Sequence, residues 1–243
     1  ALVKTHERGA AGSHTESWIH IEFDRISDPA QVDALRQDVE AVLADVRATV
    51  EDAEPMRQRI QDAIASLQGT SDHAEISDFL KWVADGNFVF LGYAHYTVAP
   101  GASELKREAT GGHGLLRRND HPRFGNCLAD IPGDIAALDA LPSPLTLIKA
   151  DGHSTVHRPG YLDFIGVHYR DQSGKIVGEH VFVGLYASHV YHVTTGEIPV
   201  VRQKVAAVRD ACGFAPGSHK DKTLANVLET FPRDELIEID TAD

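Results

Sequence analysis

Fourteen histidines in 243 residues raise the question of a metal centre first. The closest sets are His189 with His192, His180 a little upstream, and His153 with His157. A metal site of this kind brings two such pairs together with a carboxylate or a cysteine. The spacing signatures that achieve this, HExxH and CxxC, are both missing. Histidines along strands are expected on the solvent face, and His180, between Glu179 and Val181, is read that way. Gly112-x-Gly114 begins like a dinucleotide fingerprint, but Arg117 stands where the third glycine belongs, so "GGHGLL" reads as a plain glycine turn. Neither a GxxxxGK loop nor a GxSxG elbow is present, and Ser154 and Ser188 sit in no nucleophile context. Cys127 and Cys212 are too few for a disulfide framework, and Cys127 is expected as a small buried apolar residue. Asp234 and Glu235 open a helix, where negative charge is favourable. No residue is assigned a catalytic, cofactor-binding or metal-ligating role.

Composition narrows the partners. A net charge of -13 argues against nucleic acid and anionic membranes, because phosphate binding needs clustered Lys and Arg. No apolar run approaches the roughly 18 residues of a membrane helix. No signal-like segment opens the sequence, and a reducing, cytoplasmic setting is the expectation.

The elements that would position any chemistry can be read from periodicity. "ESWIHIEFDRI" sets Trp18, His20, Glu22 and Asp24 against Ile19, Ile21 and Phe23, a half-buried strand. A long helix over 28–51 follows, with Val32, Leu35, Val39, Val42, Val46 and Val50 on one face, expected as domain core. A second helix starts at Pro55, with Met56, Ile60, Ile64 and Leu67 on its inner face, and "QGTSDH" marks a boundary. A short helix then turns Ile76, Phe79, Leu80 and Val83 inward, and Gly86 and Asn87 stop it before the strand "FVFLGYAHYTV".

Residues 101–143 carry turn chemistry around short elements. Strand character resumes at "PLTLIKADGHSTVH". "GYLDFIGVHYRDQSGKIVGEHVFVGLY" then writes two strands around a turn at Asp171–Lys175, with Gly174 supplying the permissive backbone. Of this sheet, His168, Tyr169, Arg170 and Tyr161 are the residues that could line a pocket. Helical segments close the chain, the first with Val201, Val205, Val208 and Cys212 on one face and Gly213 as its stop, the next with Leu224, Val227, Leu228 and Phe231 before a restart at Pro232.

A helix, a strand, an irregular middle and three antiparallel strands ending in the "GVHYRDQSGKIVGEHVFVGLY" hairpin are similar to the PAS sensor fold, whose sheet curls over short helices and leaves a pocket. A longer resemblance covers nearly the whole chain. "NFVFLGY", "STVHRPGYLDFIGV", "FVGLYASHVY", "EIPVVRQKV" and "GFAPGSHKDKTLANVLETFPRDEL", in that order, resemble the N-terminal regulatory region of the very large bacterial NAD-specific glutamate dehydrogenases. The resemblance implies an α+β chain: a partial ACT-like strand–helix unit at 1–53, a helical linker at 54–70, a PAS-like antiparallel domain at 71–195 and a helical segment at 196–243.

It also implies that the parent enzyme oxidatively deaminates L-glutamate to 2-oxoglutarate and ammonia with NAD, from a catalytic part far downstream. This chain would hold no cofactor itself. Its expected partners are other modules of the same chain, further copies of itself in a homo-oligomer, and a small-metabolite effector. The alternative is a freestanding PAS-like metabolite sensor.

Overall fold

The computed structural model describes residues 19–67, 73–118, 121, 124 and 133–239. Trp18 and Cys127 therefore lie outside the described residues. The chain divides into two compact units, Ala1–Glu40 and Ala41–Asp243, with the division falling inside the first helix, α1 (Pro29–Glu51).

In the first unit, Ile19–Asp28 has no regular secondary structure. The strand expected there does not form, and its apolar face is open: Ile19 is 76%, Ile21 69% and Phe23 64% exposed. Alternation alone cannot make a strand, because its backbone N–H and C=O groups need a neighbouring strand, and none pairs with it among the described residues. The Asp28 carboxylate accepts the Ala30 amide at 3.0 Å and starts α1. The helix itself forms as its period requires, but Val32, Val39 and Val50 are exposed. The stripe expected as core is thus only partly covered: Leu35 and Val42 are half-buried, and in the second unit Val46 packs against the sheet's core while Asp45 and Thr49 of the same helix are buried.

The second unit is built on one sheet. Its strands are β1 (Phe88–Val98), β2 (Leu105–Arg107), β3 (His113–Gly114), β4 (Leu145–His153), β5 (Tyr161–Arg170) and β6 (Ile176–Tyr186). They run in the order β2-β1-β6-β5-β4, with β3 beside β1, and every described pairing is antiparallel. The β5–β6 hairpin closes where the sequence places it. The Asp171 carbonyl accepts the Gly174 amide, Asp171 Oδ1 accepts the Ser173 and Lys175 amides, and Gly174 takes φ of 84°.

Side-chain alternation gives the sheet two apolar faces. One carries Phe88, Phe90, Tyr93, Ile165, Val167, Phe182 and Tyr186 and is covered by α2 (Ala53–Ser66) and α3 (His73–Trp82). α2 presents Met56, Ile60 and Ala63, so the described part of the stretch expected as a linker is seated in the core. α3 buries Ile76, Phe79 and Leu80 as its period requires. The other face, with Leu91, Leu162, Phe164, Val181, Val183 and Leu185, packs against Leu115, Leu116, Phe124 and Val156. The short helix α4 (Ile135–Asp139) lies in the irregular middle. Gly184, in the central strand, is required by close approach: a Cβ there would collide with the Val89 carbonyl and the Phe88 ring. Gly184→Ala is expected to cost about 2 kcal/mol or more in urea unfolding, and a neutral result would show that the strand contact relaxes freely.

After β6 the chain makes two short turns, Ser188–His192 and Thr195–Glu197. It then forms α5 (Val201–Cys212), α6 (His219–Leu228) and α7 (Arg233–Glu238). Val200 enters α5 at φ of 71°, an uncommon conformation for a β-branched residue. Its amide is held by Glu75 of α3 at 2.8 Å, and the same carboxylate takes a bidentate pair from Arg202. Cys212 is exposed rather than on the inner face of α5.

Candidate functional site

Where the sheet leaves α2, a cleft of about 330 Å³ opens. α2 contributes Arg59, Asp62 and Ser66; β1 contributes Tyr93 and His95; Glu108 and Gly111 follow β2; Tyr169 and His180 come from β5 and β6. The pleat places these together. Tyr93 and His95 alternate on β1, His95 lies opposite His180 in register, and Tyr169 lies opposite Gly178. Gly178 is needed because the Tyr169 ring leans across the space a Cβ would fill.

The cleft is lined by a hydrogen-bonded set of rings. The Tyr93 hydroxyl meets His180 Nδ1 at 2.9 Å, His95 Nε2 meets the Tyr169 hydroxyl at 3.1 Å, and His95 Nδ1 lies 3.1 Å from Glu108. The His95 and His180 ring centres are 4.8 Å apart. Burial pushes His180 down to about 4, assisted by the nearby His95 and Arg59, so its imidazole is neutral at pH 7. Burial likewise raises Tyr93, which keeps its proton. That phenol has no other hydrogen-bond partner among the described residues, so the Tyr93–His180 contact ties the two rings together. Arg59 sits 5.6 Å over the Tyr93 ring and pairs with Asp62 at 2.9 Å.

This lining can bind a small polar molecule through fixed donors, acceptors and ring faces. It contains no activated nucleophile: Ser66 Oγ donates to the Ala63 carbonyl at 2.7 Å, and no lysine faces the cleft. Among the described residues no group of three or more histidines, cysteines or carboxylates is placed to hold a metal ion.

Two further polar clusters lie elsewhere on the sheet. On the face away from α2, Glu179 is 3% and His168 1% exposed, and they are cross-strand neighbours. Glu179 Oε1, His168 Nδ1 and Thr146 Oγ1 all lack hydrogen-bond partners. Burial raises Glu179 to about 8 and lowers His168 to about 4, so both are neutral at pH 7. At the far end of β4 and β5, the Lys149 ammonium binds Asp163 and lies 3.2 Å from Asp234 and 3.3 Å from Glu238. Asp163 also accepts the Tyr186 amide at 3.0 Å, and Tyr191 donates to Asp234 at 3.1 Å.

Of the residues singled out in the sequence, Tyr169 lines the cleft, whereas His168 faces the other way. Arg170 pairs with Asp139 at the surface, and Tyr161 is exposed beside the His153 ring. His180 corrects an expectation: it is buried rather than on a solvent face, because helix α2 covers that side of the sheet. His189 donates to Asn87, and Ser154 bonds the Val156 carbonyl. The "GGHGLL" turn holds β3 against β1, and Arg117 pairs with Glu51 and Asp52, away from any phosphate loop. Arg59, His95, Glu108 and His180 were not picked out as a site. The legible signal was a polar residue in the inward register of a strand, as at Tyr93 and His95.

Residues 198–243 match a protein-family model described as glutamate dehydrogenase, helical motif 1. The chain is 34% identical over 98% of its length to an NAD-specific glutamate dehydrogenase of Halomonas elongata. It is 34% identical over 92% to that of Pseudomonas aeruginosa and 28% identical over 91% to that of Mycobacterium tuberculosis. It spans only 15%, 14% and 13% of these relatives, respectively. No helix of the described residues is long and apolar enough to cross a membrane.

Proposed function

We propose that this chain is a non-catalytic regulatory and assembly region, N-terminal in an NAD-dependent glutamate dehydrogenase. The parent enzyme would oxidatively deaminate L-glutamate to 2-oxoglutarate and ammonia in the cytoplasm. The carrying observation is one of proportion: similarity runs along almost the whole chain, yet the chain is about a seventh of the relatives' length. The reactive glutamate and NAD sites would then lie in the remainder. The described cleft, with a neutral His180 and no lysine among its described lining, supports a binding role over a catalytic one.

Within that reading, 71–195 is the PAS-like module. An antiparallel sheet laid over α2 and α3, with a cleft beside α2, is the arrangement that supports it. The cleft would take the small-metabolite effector. Residues 1–53 contribute to an ACT-like module, and the exposed Ile19, Ile21, Phe23 and α1 valines are apolar surface that such a module would bury against other modules or copies.

The purified chain is expected to give no glutamate-dependent NADH, followed by absorbance, and no tight NAD binding by calorimetry. The reading frame that encodes it is expected to run on into a dinucleotide-binding domain. Turnover by the isolated chain would overturn the non-catalytic assignment. A reading frame lacking that domain would favour a freestanding sensor.

A further inference from the structure

The cluster around Lys149 has an unusual balance. One ammonium, itself about a third exposed, faces three carboxylates: Asp163 from β5, and Asp234 and Glu238 from α7. Two carboxylate oxygens, Asp234 Oδ1 and Glu238 Oε1, are buried without a hydrogen bond. Glu238 Oε1 is within ion-pair distance of the ammonium but is not aligned to accept from it. Tyr191 from the turn after β6 donates to Asp234, and Tyr186 of β6 gives Asp163 only its amide. Arg158 donates to the Tyr186 carbonyl and interacts with Tyr191, and its Nε is buried without a hydrogen bond. From α5, Lys204 is committed to the carbonyls of Leu236, Ile237 and Ile239 at the end of α7. Arg233 of α7 points to Glu229 and the Val193 carbonyl. Glu75, on the wall of the neighbouring groove, is bound by Arg202. Among the described residues, Lys149 is the cation that lies within ion-pair distance of the three carboxylates.

We propose that Lys149, Asp163, Asp234 and Glu238 form a proton-operated latch on α7, shut while the cluster holds one extra proton and loosened when that proton leaves. α7 has six residues, too few for a helix to persist alone, so its order depends on this docking, on Lys204 at its C-terminal carbonyls and on the burial of Leu236 and Ile237. With the proton present, the cluster carries two negative charges against one positive. Without it, three carboxylates share one ammonium and repel one another in a half-buried site.

Glu238 is the group that carries the proton: burial and the adjacent Asp163 raise it to about 7, against the pull of Lys149. The sign follows. A raised carboxyl favours the docked state fully below its ordinary range near 4.5, and that advantage is lost as pH rises to about 7. α7 lies inside the segment matching helical motif 1, so the latch makes the seating of that segment sensitive to protons. This inference needs only the fold of the chain and does not depend on the glutamate dehydrogenase reading.

Amide hydrogen exchange on the full chain tests it. Between about pH 6 and about pH 8, protection of the last amides of α7 should fall about tenfold beyond the intrinsic change, while β5 and β6 amides fall less. In Glu238→Gln the extra fall should vanish. An equal fall in both proteins, or no extra fall in the wild type, overturns the latch. Should Glu238→Gln not fold, carboxyl-carbon NMR of the unsubstituted chain decides. A Glu238 midpoint near 7 shared by the α7 amides supports the latch, and a midpoint in the ordinary carboxylate range overturns it.

Discussion

Lys149→Met should destabilise the chain by about 3 kcal/mol in urea or guanidinium unfolding, among the largest single effects available in this fold. The substitution keeps the length and apolar stem of the side chain and removes only the charge. Asp163, with its side chain 3% exposed, is then left as a carboxylate held by the Tyr186 amide and the Glu238 carboxyl, with no cation beside it among the described residues. Burial already pushes Asp163 upward while Lys149 pulls it down. Removing the lysine therefore forces either an uncompensated buried charge or uptake of a proton. The lower end of the range for breaking a buried pair applies, because the ammonium is itself a third exposed and partly screened. Adding Asp163→Leu to Lys149→Met should restore much of the loss, since two apolar groups replace two charges. A cost below about 1 kcal/mol for the single change would show that solvent, not Lys149, satisfies the carboxylates.

Glu179→Gln should stabilise the chain at alkaline pH and change little at acid pH. Burial alone raises this carboxyl to about 8, so the folded state retains a proton between its ordinary value of 4.5 and about 8 that the unfolded state has released. Stability tied to Glu179 is thus complete below 4.5 and declines as pH rises through that window, by about 5 kcal/mol at most. Glutamine keeps the shape and cannot ionise. Two histidines work in the opposite direction. His168 and His180, both near 4, contribute stability that is present above 6.5 and lost as pH falls toward 4. The unsubstituted chain should therefore be most stable near pH 6–7, and the Gln variant should hold that maximum up to about pH 9. Urea midpoints across this range would show it; parallel curves for the two proteins would mean that Glu179 finds a partner when it ionises.

The parts of this fold legible in the sequence are those in which local pattern and burial coincide. α3 turned Ile76, Phe79 and Leu80 inward, and the Asp171–Gly174 turn fixed the hairpin, because each needs only its own residues to form. Ile19–Phe23 has an equally clear alternation and no ladder, since its pairing depends on a strand that must come from elsewhere. The apolar stripe of α1 set out a helix correctly but not its covering. The cleft was only partly visible for a related reason. Its residues come from two helical turns of α2, three strands and a loop, and only the register His95 opposite His180 brings the rings together. The Lys149 cluster joins residues up to 89 positions apart, so no spacing rule could have announced it.

The strand order also governs when the sheet can exist during synthesis. Of the six strands described in this sheet, β1 leaves the ribosome first, yet its long partner is β6, which leaves last of them, through pairings that run from Phe88 with Tyr186 to Thr97 with Gly178. At about 5–20 residues per second, roughly 5–20 s pass between the two. Throughout that interval Phe88, Phe90 and Tyr93 lack Phe182 and Tyr186 of β6 and rely on α2, α3 and, at Tyr93, His113 of β3 for cover. The β5–β6 hairpin, closed by its own Asp171 turn, forms as a unit and arrives ready to complete the sheet. Translation of the stretch between β1 and β6 is therefore the period in which this chain is most exposed to aggregation and to capture by chaperones.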